Sequence, residues 1–170
     1  MKSKKNLVLL GMMGSGKSTI GSLISKKLNI EFIDIDKVIE KEIGMTINEI
    51  FKKNDEKFFR NIEERITIKI LDSTNKVISL GGGAFINDKI RKEVLTNNIS
   101  FWLNINSAIL VKRIKKNNKR PIASNSSDNQ LIKLISKRSK IYSKAKFTIN
   151  CSNLKKNEVV NKIVDIYEHN

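Results

Sequence analysis

Residues Gly11-Met12-Met13-Gly14-Ser15-Gly16-Lys17-Ser18 constrain this chain more than any other stretch of it. They fill the pattern G-x-x-x-x-G-K-[ST] completely. They also sit between a short apolar run, Leu7–Leu10, and a segment that carries Ile20, Leu23, Ile24 and Leu28 at helical spacing. That strand-to-helix context is what the pattern requires. Glycines let the backbone wrap so that successive N–H groups converge on one anion, and the following helix turns its positive N-terminal end toward the same anion. Lys17 adds a full charge against β- and γ-phosphates, and Ser18 offers a hydroxyl to Mg²⁺. A glycine-rich turn with a chance lysine would not meet every specified position, so the loop reads as a nucleoside triphosphate site. Its candidate contacts are Gly14, Ser15, Gly16, Lys17, Ser18 and Thr19.

Further apolar runs at residues 30–35, 76–80, 99–103 and 147–150 read as strands. Between them the pattern predicts helices. Thr46-Ile47-Asn48-Glu49 has capping-box spacing and opens one that runs through Lys53. A longer one spans 55–72, with Phe59, Ile62, Ile66 and Ile70 on one stripe. Others cover 88–96, 107–116, a stretch ending near Tyr142, and 155–167. Residues 117–128 are polar, Ser/Asn-rich and hold the only proline, Pro121. Five apolar runs alternating with helices predict an α/β fold of three layers, α/β/α, around a five-stranded parallel sheet. A length of 170 residues without repeats or a linker predicts one domain, 1–170. Ligands of such sheets bind beyond the carboxyl ends of the strands.

The chain has 33 Lys+Arg against 17 Asp+Glu, a net charge of +16. Nucleic acid is nevertheless not the expected partner: aromatics make up only 6% of the chain, and no basic-aromatic interleaving or groove-reading motif occurs. No stretch approaches the ~18 apolar residues of a membrane span. Lys2, Lys4 and Lys5 ahead of Leu7–Leu10 mimic a signal peptide, but the glycine loop stands where a cleavage site would be, so the expected location is cytoplasmic. One cysteine (Cys151) excludes an intramolecular disulfide, and one histidine (His169) excludes a histidine metal cluster. Base catalysis therefore falls to a carboxylate or to nothing. Only six of the basic residues are arginine, and in a lysine-rich chain those six mark positions that need a planar fork of donors.

Asp34 and Asp36 lie two apart at a strand's end, where extended geometry turns both side chains to one side. One would serve a metal's water shell and the other an acceptor hydroxyl; the alternative is a helix N-cap at Asp36 and a turn residue at Asp34. Gly81, Gly82 and Gly83 end another strand and suggest close approach of backbone to a ligand. No aspartate closes that strand, which leaves Asp34 as the acid on the magnesium side. Arg60 precedes Glu63 and Glu64 at i+3 and i+4, the spacing of a surface ion pair. Arg120 lies beside Pro121 in the polar segment, where loop residues act as lids, and Arg138 stands one helical turn before Tyr142.

Together these residues resemble the shikimate kinase family, small P-loop kinases of the nucleoside monophosphate kinase-like fold. The likeness spans nearly the whole chain and keeps the family's order: the glycine loop, Asp34-Ile35-Asp36, Phe59-Arg60-Asn61-Ile62-Glu63, Leu80-Gly81-Gly82-Gly83-Ala84, Arg120-Pro121, and Arg138 with Tyr142. The resemblance implies ATP-dependent phosphorylation of the 3-hydroxyl of shikimate, on the route to chorismate and the aromatic amino acids. It implies a monomer with one Mg²⁺ per subunit, a substrate-binding region at 36–63 and a lid at 117–128. By position, Arg60 and Arg138 would clamp the acceptor's carboxylate, while Asp36 and the backbone at Gly81, Gly82 and Gly83 would hold its hydroxyls. Phe51 and Phe59 would wall the ring and Glu63 would support it from behind. Ser18 and Asp34 would serve Mg²⁺, Lys17 and Arg120 the transferring phosphoryl group, and Arg113 with the 151–155 loop the adenine. Asp36 would orient the acceptor hydroxyl and take its proton. Lys140 departs from the family, which has proline there. A gluconate or nucleoside monophosphate kinase is the alternative within enzymes, and a nucleotide-dependent binding module the alternative outside them.

Overall fold

The structure, a computed structural model, describes residues 5–116 and 126–170. Its sheet has five strands, β1 (Leu7–Leu10), β2 (Glu31–Asp34), β3 (Lys76–Ser79), β4 (Ile99–Asn104) and β5 (Phe147–Asn150), in the order β2-β3-β1-β4-β5. All four pairings are parallel. β1 is the middle strand, and its run of four apolar residues is wholly buried because helices cover both faces. The two-residue period of a strand then divides it. Leu7 and Leu9 pack with Ile20 and Ile24 of α1 (Lys17–Leu28) and with Val160 and Ile163 of α8 (Lys156–Glu168). Val8 and Leu10 face the opposite layer, which comprises α2 (Ile35–Ile43), α3 (Ile47–Lys53), α4 (Glu56–Leu71), α5 (Asp88–Asn97), α6 (Ser107–Lys116) and α7 (Asp128–Tyr142). The expected three-layer fold is the one observed.

Helix α2 is a correction. The sequence reading ran the second strand through Ile35, but the strand stops at Asp34 and a helix begins at once. Its signal was present in Ile35, Val38, Ile39 and Ile43, which share one face at helical spacing. Asp34 and Asp36 are therefore not two residues of one extended strand. Asp34 is the N-cap, its carboxylate accepting the Asp36 N–H at 3.1 Å, and Asp36 lies in the first turn. The other helix starts follow the expected chemistry. Thr46 and Glu49 form the capping box of α3, and Asp55 caps α4 by accepting the Phe58 N–H at 2.8 Å. Ser127 and Gln130 box the start of α7, so Asp128, the last residue of the expected lid, is already helical. Arg120 and Pro121 lie outside the described residues. Among the described residues no helix is long and apolar enough to cross a membrane.

The registers align the carboxyl ends: Asp34 pairs with Ser79 and Leu10 with Trp102. The glycine loop after β1, the start of α2 and the three glycines after β3 consequently meet at one edge. The opposite edge is closed by Asn6, only 1% exposed. Its Nδ2 donates to Leu71 O (3.2 Å), Ser73 O (2.6 Å) and Asn98 Oδ1 (2.8 Å), while its Oδ1 accepts Lys76 N–H at 3.1 Å. Asn6→Ala leaves those groups without their partner, and should lower the unfolding free energy in urea by about 2–3 kcal/mol. A loss below ~0.5 kcal/mol would show that this network does not tie the edge.

Candidate active site

Two clefts open at the carboxyl edge, and Met13, Asp36 and Gly82 line both. The first, about 250 Å³, surrounds the glycine loop. Gly14 and Gly16 adopt φ of 78° and 90°, a left-handed backbone that a Cβ would strain, and the turn they make delivers Lys17 as the first residue of α1. Lys17 Nζ folds back to donate to Gly11 O (2.8 Å) and Met12 O (3.0 Å), which holds its charge over the loop. Ser18 Oγ donates to Asp34 Oδ2 at 2.5 Å. Arg113 of α6 reaches across to Gly14 O at 3.3 Å, and Thr19 completes the wall. Ser15 lies under the loop, with its buried Oγ unpartnered among the described residues. Of the six residues expected from sequence, Gly14, Gly16, Lys17, Ser18 and Thr19 line this cleft with Arg113, whereas Ser15 and the 151–155 loop are not among the described residues that wall it.

Ser18 and Asp34 put a hydroxyl and a carboxylate side by side at the mouth. Two hard oxygen donors suit Mg²⁺, which keeps waters and takes phosphate oxygens rather than demanding a protein cage. Consistently, no group of three or more His, Cys, Asp or Glu able to hold a metal occurs among the described residues.

The second cleft, about 380 Å³, is more apolar and lies between α3, α4, the three glycines and α7. Phe51 and Phe59 meet there with ring centroids 4.6 Å apart, and the Arg60 guanidinium lies 5.2 Å from the Phe59 ring. Arg60 donates from Nη1 to Glu63 (2.6 Å) and from Nε and Nη2 to Glu56 (3.2 and 3.0 Å). Glu64 does not pair with Arg60 as its i+4 spacing allowed. One residue further round the helix than Glu63, it turns to α5 and accepts from Asn87 and Lys89, both at 2.7 Å. From α7, Arg138 Nη1 donates to Gly82 O (3.2 Å) and approaches Met12 Sδ (3.8 Å), and Tyr142 donates its hydroxyl to the same carbonyl.

Two of the three glycines have a physical reason beside the expected approach to a ligand. None has positive φ. A Cβ on Gly81 would stand 2.7 Å from Glu63 Oε1 and 2.8 Å from Asp36 Oδ1, and one on Gly83 would stand 2.4 Å from Arg60 Nη1. What the backbone admits at Gly81 and Gly83 is the site's own carboxylates and guanidinium.

Electrostatics in this cleft is dominated by burial. Glu63 is 2% exposed; burial pushes its carboxyl up, Arg60 pulls it down without cancelling that, and Asp36 adds to the rise. For Arg60 burial acts downward, but two carboxylates, Glu63 and Glu56, carry it above its ordinary value. Burial likewise raises Tyr142, which stays a hydroxyl donor, and pushes the Cys151 thiol up to about 11.

Several cleft residues escaped the sequence reading. Leu131 and Leu134, seven and four residues before the expected Arg138 in the i, i+3, i+7 pattern of α7, form one wall with it; that spacing was readable. Glu56, one turn before Arg60, was readable too. Met13 carried no signal beyond its place in the loop.

Residues 13–168 match the family model described as shikimate kinase. The chain belongs to the shikimate kinase family. The shikimate kinase of Thermodesulfovibrio yellowstonii is 39% identical over 165 residues, covering 96% of this chain and 95% of that protein. Among solved structures, the shikimate kinase of Acinetobacter baumannii in complex with shikimate superposes with a TM-score of 0.91 at 27% identity, covering 98% of this chain and 94% of that one. That of Bacteroides thetaiotaomicron gives 0.87 at 28% identity, covering 96% and 98%. Membership in the shikimate kinase family makes this chain an ATP-dependent kinase, a transferase.

The raised Glu63 carboxyl has a measurable consequence. A carboxyl that binds its proton more tightly in the native state stabilises the fold below its unfolded value, near 4.5, and that contribution is lost as pH rises through the higher native value. Glu63→Gln fixes the neutral form. The stability of the variant relative to wild type, from urea unfolding between pH 4 and 8, should therefore increase with pH; a flat or falling difference would contradict the dominance of burial.

Proposed function

We propose that this chain transfers the γ-phosphoryl group of Mg-ATP to the 3-hydroxyl of shikimate, with the nucleotide in the glycine-loop cleft and the acid in the cleft lined by Arg60 and Arg138. The observation that carries the reading is the shared wall: Asp36 borders both clefts, between the loop that would hold phosphates and the guanidinium groups that would hold a carboxylate. A small hydroxylated acid spanning that distance presents a hydroxyl, not its carboxylate, to Asp36.

Phosphoryl transfer asks a protein for alignment, charge neutralisation and exclusion of water. In this reading Asp36 orients the acceptor hydroxyl and receives its proton as the new O–P bond forms. Lys17, released from the Gly11 and Met12 carbonyls, follows the negative charge on the β- and γ-phosphates. Ser18 and Asp34 would hold Mg²⁺, which supplies charge neutralisation to the phosphates when bound. Gly82 O already accepts from Arg138 and Tyr142, so backbone contact with the acceptor at this residue comes from the N–H. Phe51 and Phe59 provide the apolar wall a carbocyclic ring needs. Arg113 stands where a base would lie beside α6. Arg120, outside the described residues, would serve the transferring phosphoryl group, as the family resemblance implies.

A coupled ADP-release assay with Mg-ATP and shikimate, gluconate or nucleoside monophosphates tests the reading, which requires shikimate alone to raise ADP production. Arg138→Ala should lower kcat/KM for shikimate by the ~2–5 kcal/mol that truncating one partner of a buried charge pair costs, with Mg-ATP affinity largely kept. Equal loss of both would remove Arg138 from the acceptor side.

A further inference from the structure

A guanidinium offers a carboxylate two edges for parallel hydrogen bonds, Nε with Nη2 and Nη1 with Nη2. On Arg60 the first edge is taken and the second faces Gly83. Glu56 Oε1 accepts from Nε at 3.2 Å and from Nη2 at 3.0 Å. The other edge abuts the backbone: a Cβ on Gly83 would lie 2.4 Å from Nη1 and 2.7 Å from Nη2. Glu63 occupies a further Nη1 donor at 2.6 Å. A carboxylate entering this cleft therefore meets an arginine that already carries one. Of the two partners, Glu63 is buried under Gly81 and cannot leave, whereas the Glu56 side chain is 70% exposed, lines the acceptor cleft and stands in the first turn of α4 with solvent beside it.

We propose that Glu56 is a built-in substitute for the acceptor's carboxylate: it holds the Nε/Nη2 edge of Arg60 in the empty cleft, and acceptor binding exchanges one carboxylate for the other. The inference rests on the functional reading above, and it adds a residue that sets the threshold for occupancy. Glu56 keeps Arg60 extended over the Phe59 ring, in the place where it is needed. The cost is that an acceptor gains only the difference between its own pairing and the one it displaces. A neutral polyol brings nothing to put in Glu56's place and leaves the internal pair intact, so the exchange favours anionic acceptors. At Arg60 the acid enters without adding a net ion pair, which makes that part of its binding weakly dependent on salt, because one screened pair replaces another.

Glu56→Gln removes the competing charge at constant size. In steady-state kinetics the variant should show a shikimate KM lower by about two- to fivefold, the range an exposed ion pair is worth, with the Mg-ATP KM unchanged. Its shikimate KM should also rise more steeply with NaCl than that of the wild type, since binding now creates a new ion pair. A purely structural role for Glu56 would not move the salt slope. An acceptor KM that is unchanged or raised, or salt slopes that coincide, overturns the exchange while leaving the functional reading in place. Wild-type protein that releases no ADP with shikimate overturns the functional reading, and the exchange falls with it.

Discussion

Glu63 sits in the buried stripe of α4, between Phe59 and Ile66, where an apolar residue would ordinarily pack. A carboxylate in such a place is tolerated only when a cation and hydrogen-bond donors stand against it. Arg60 supplies both at 2.6 Å, and the missing side chain of Gly81 gives the second oxygen room. The placement of Arg60 follows from that need. Asp36, whose Oδ1 lies on the same side of Gly81, adds a like charge that makes the need for Arg60 greater. The acceptor cleft is thus built outward from one buried charge: it fixes the guanidinium, the guanidinium requires Gly83, and the two glycines together explain why β3 ends as it does.

The donor side rests on the sheet. A middle strand with parallel neighbours delivers the glycine loop to the carboxyl edge, beside the end of β3 and, one strand further out, the end of β2. Asp34 does three things there: it ends a strand, caps a helix and accepts from Ser18. A capping carboxylate is held in place by the backbone it caps, so the oxygen presented to Ser18 has little freedom to wander. The geometry that favours helix initiation is the same geometry that sets the mouth of the nucleotide cleft.

Much of this was legible in the sequence because the governing interactions are local. A glycine loop between an apolar run and an amphipathic helix, the Thr46 to Glu49 box and the α4 stripe all act over a few residues, and all appear as read. Several misses share one cause, contact between segments distant in sequence. Nothing near Gly83 announces that Arg60 will press on it, and nothing near Gly82 announces that its carbonyl will accept from α7. The pairing of Glu64 with α5 was hidden for the same reason. Helix α2 is a different kind of miss: its periodicity was present, but the apolar run of β2 extended into it and was taken whole.

Gly82 borders both clefts, and its carbonyl is gripped by two side chains one turn apart on α7. The peptide and the helix are therefore fastened as a single lever arm. A slide or tilt of α7 carries the partition between the two ligands with it, and a ligand that props the partition from one side resists the same movement. On the proposed reading an occupant of either cleft would alter the grip on the other through this peptide, and by linkage the influence would be equal in both directions.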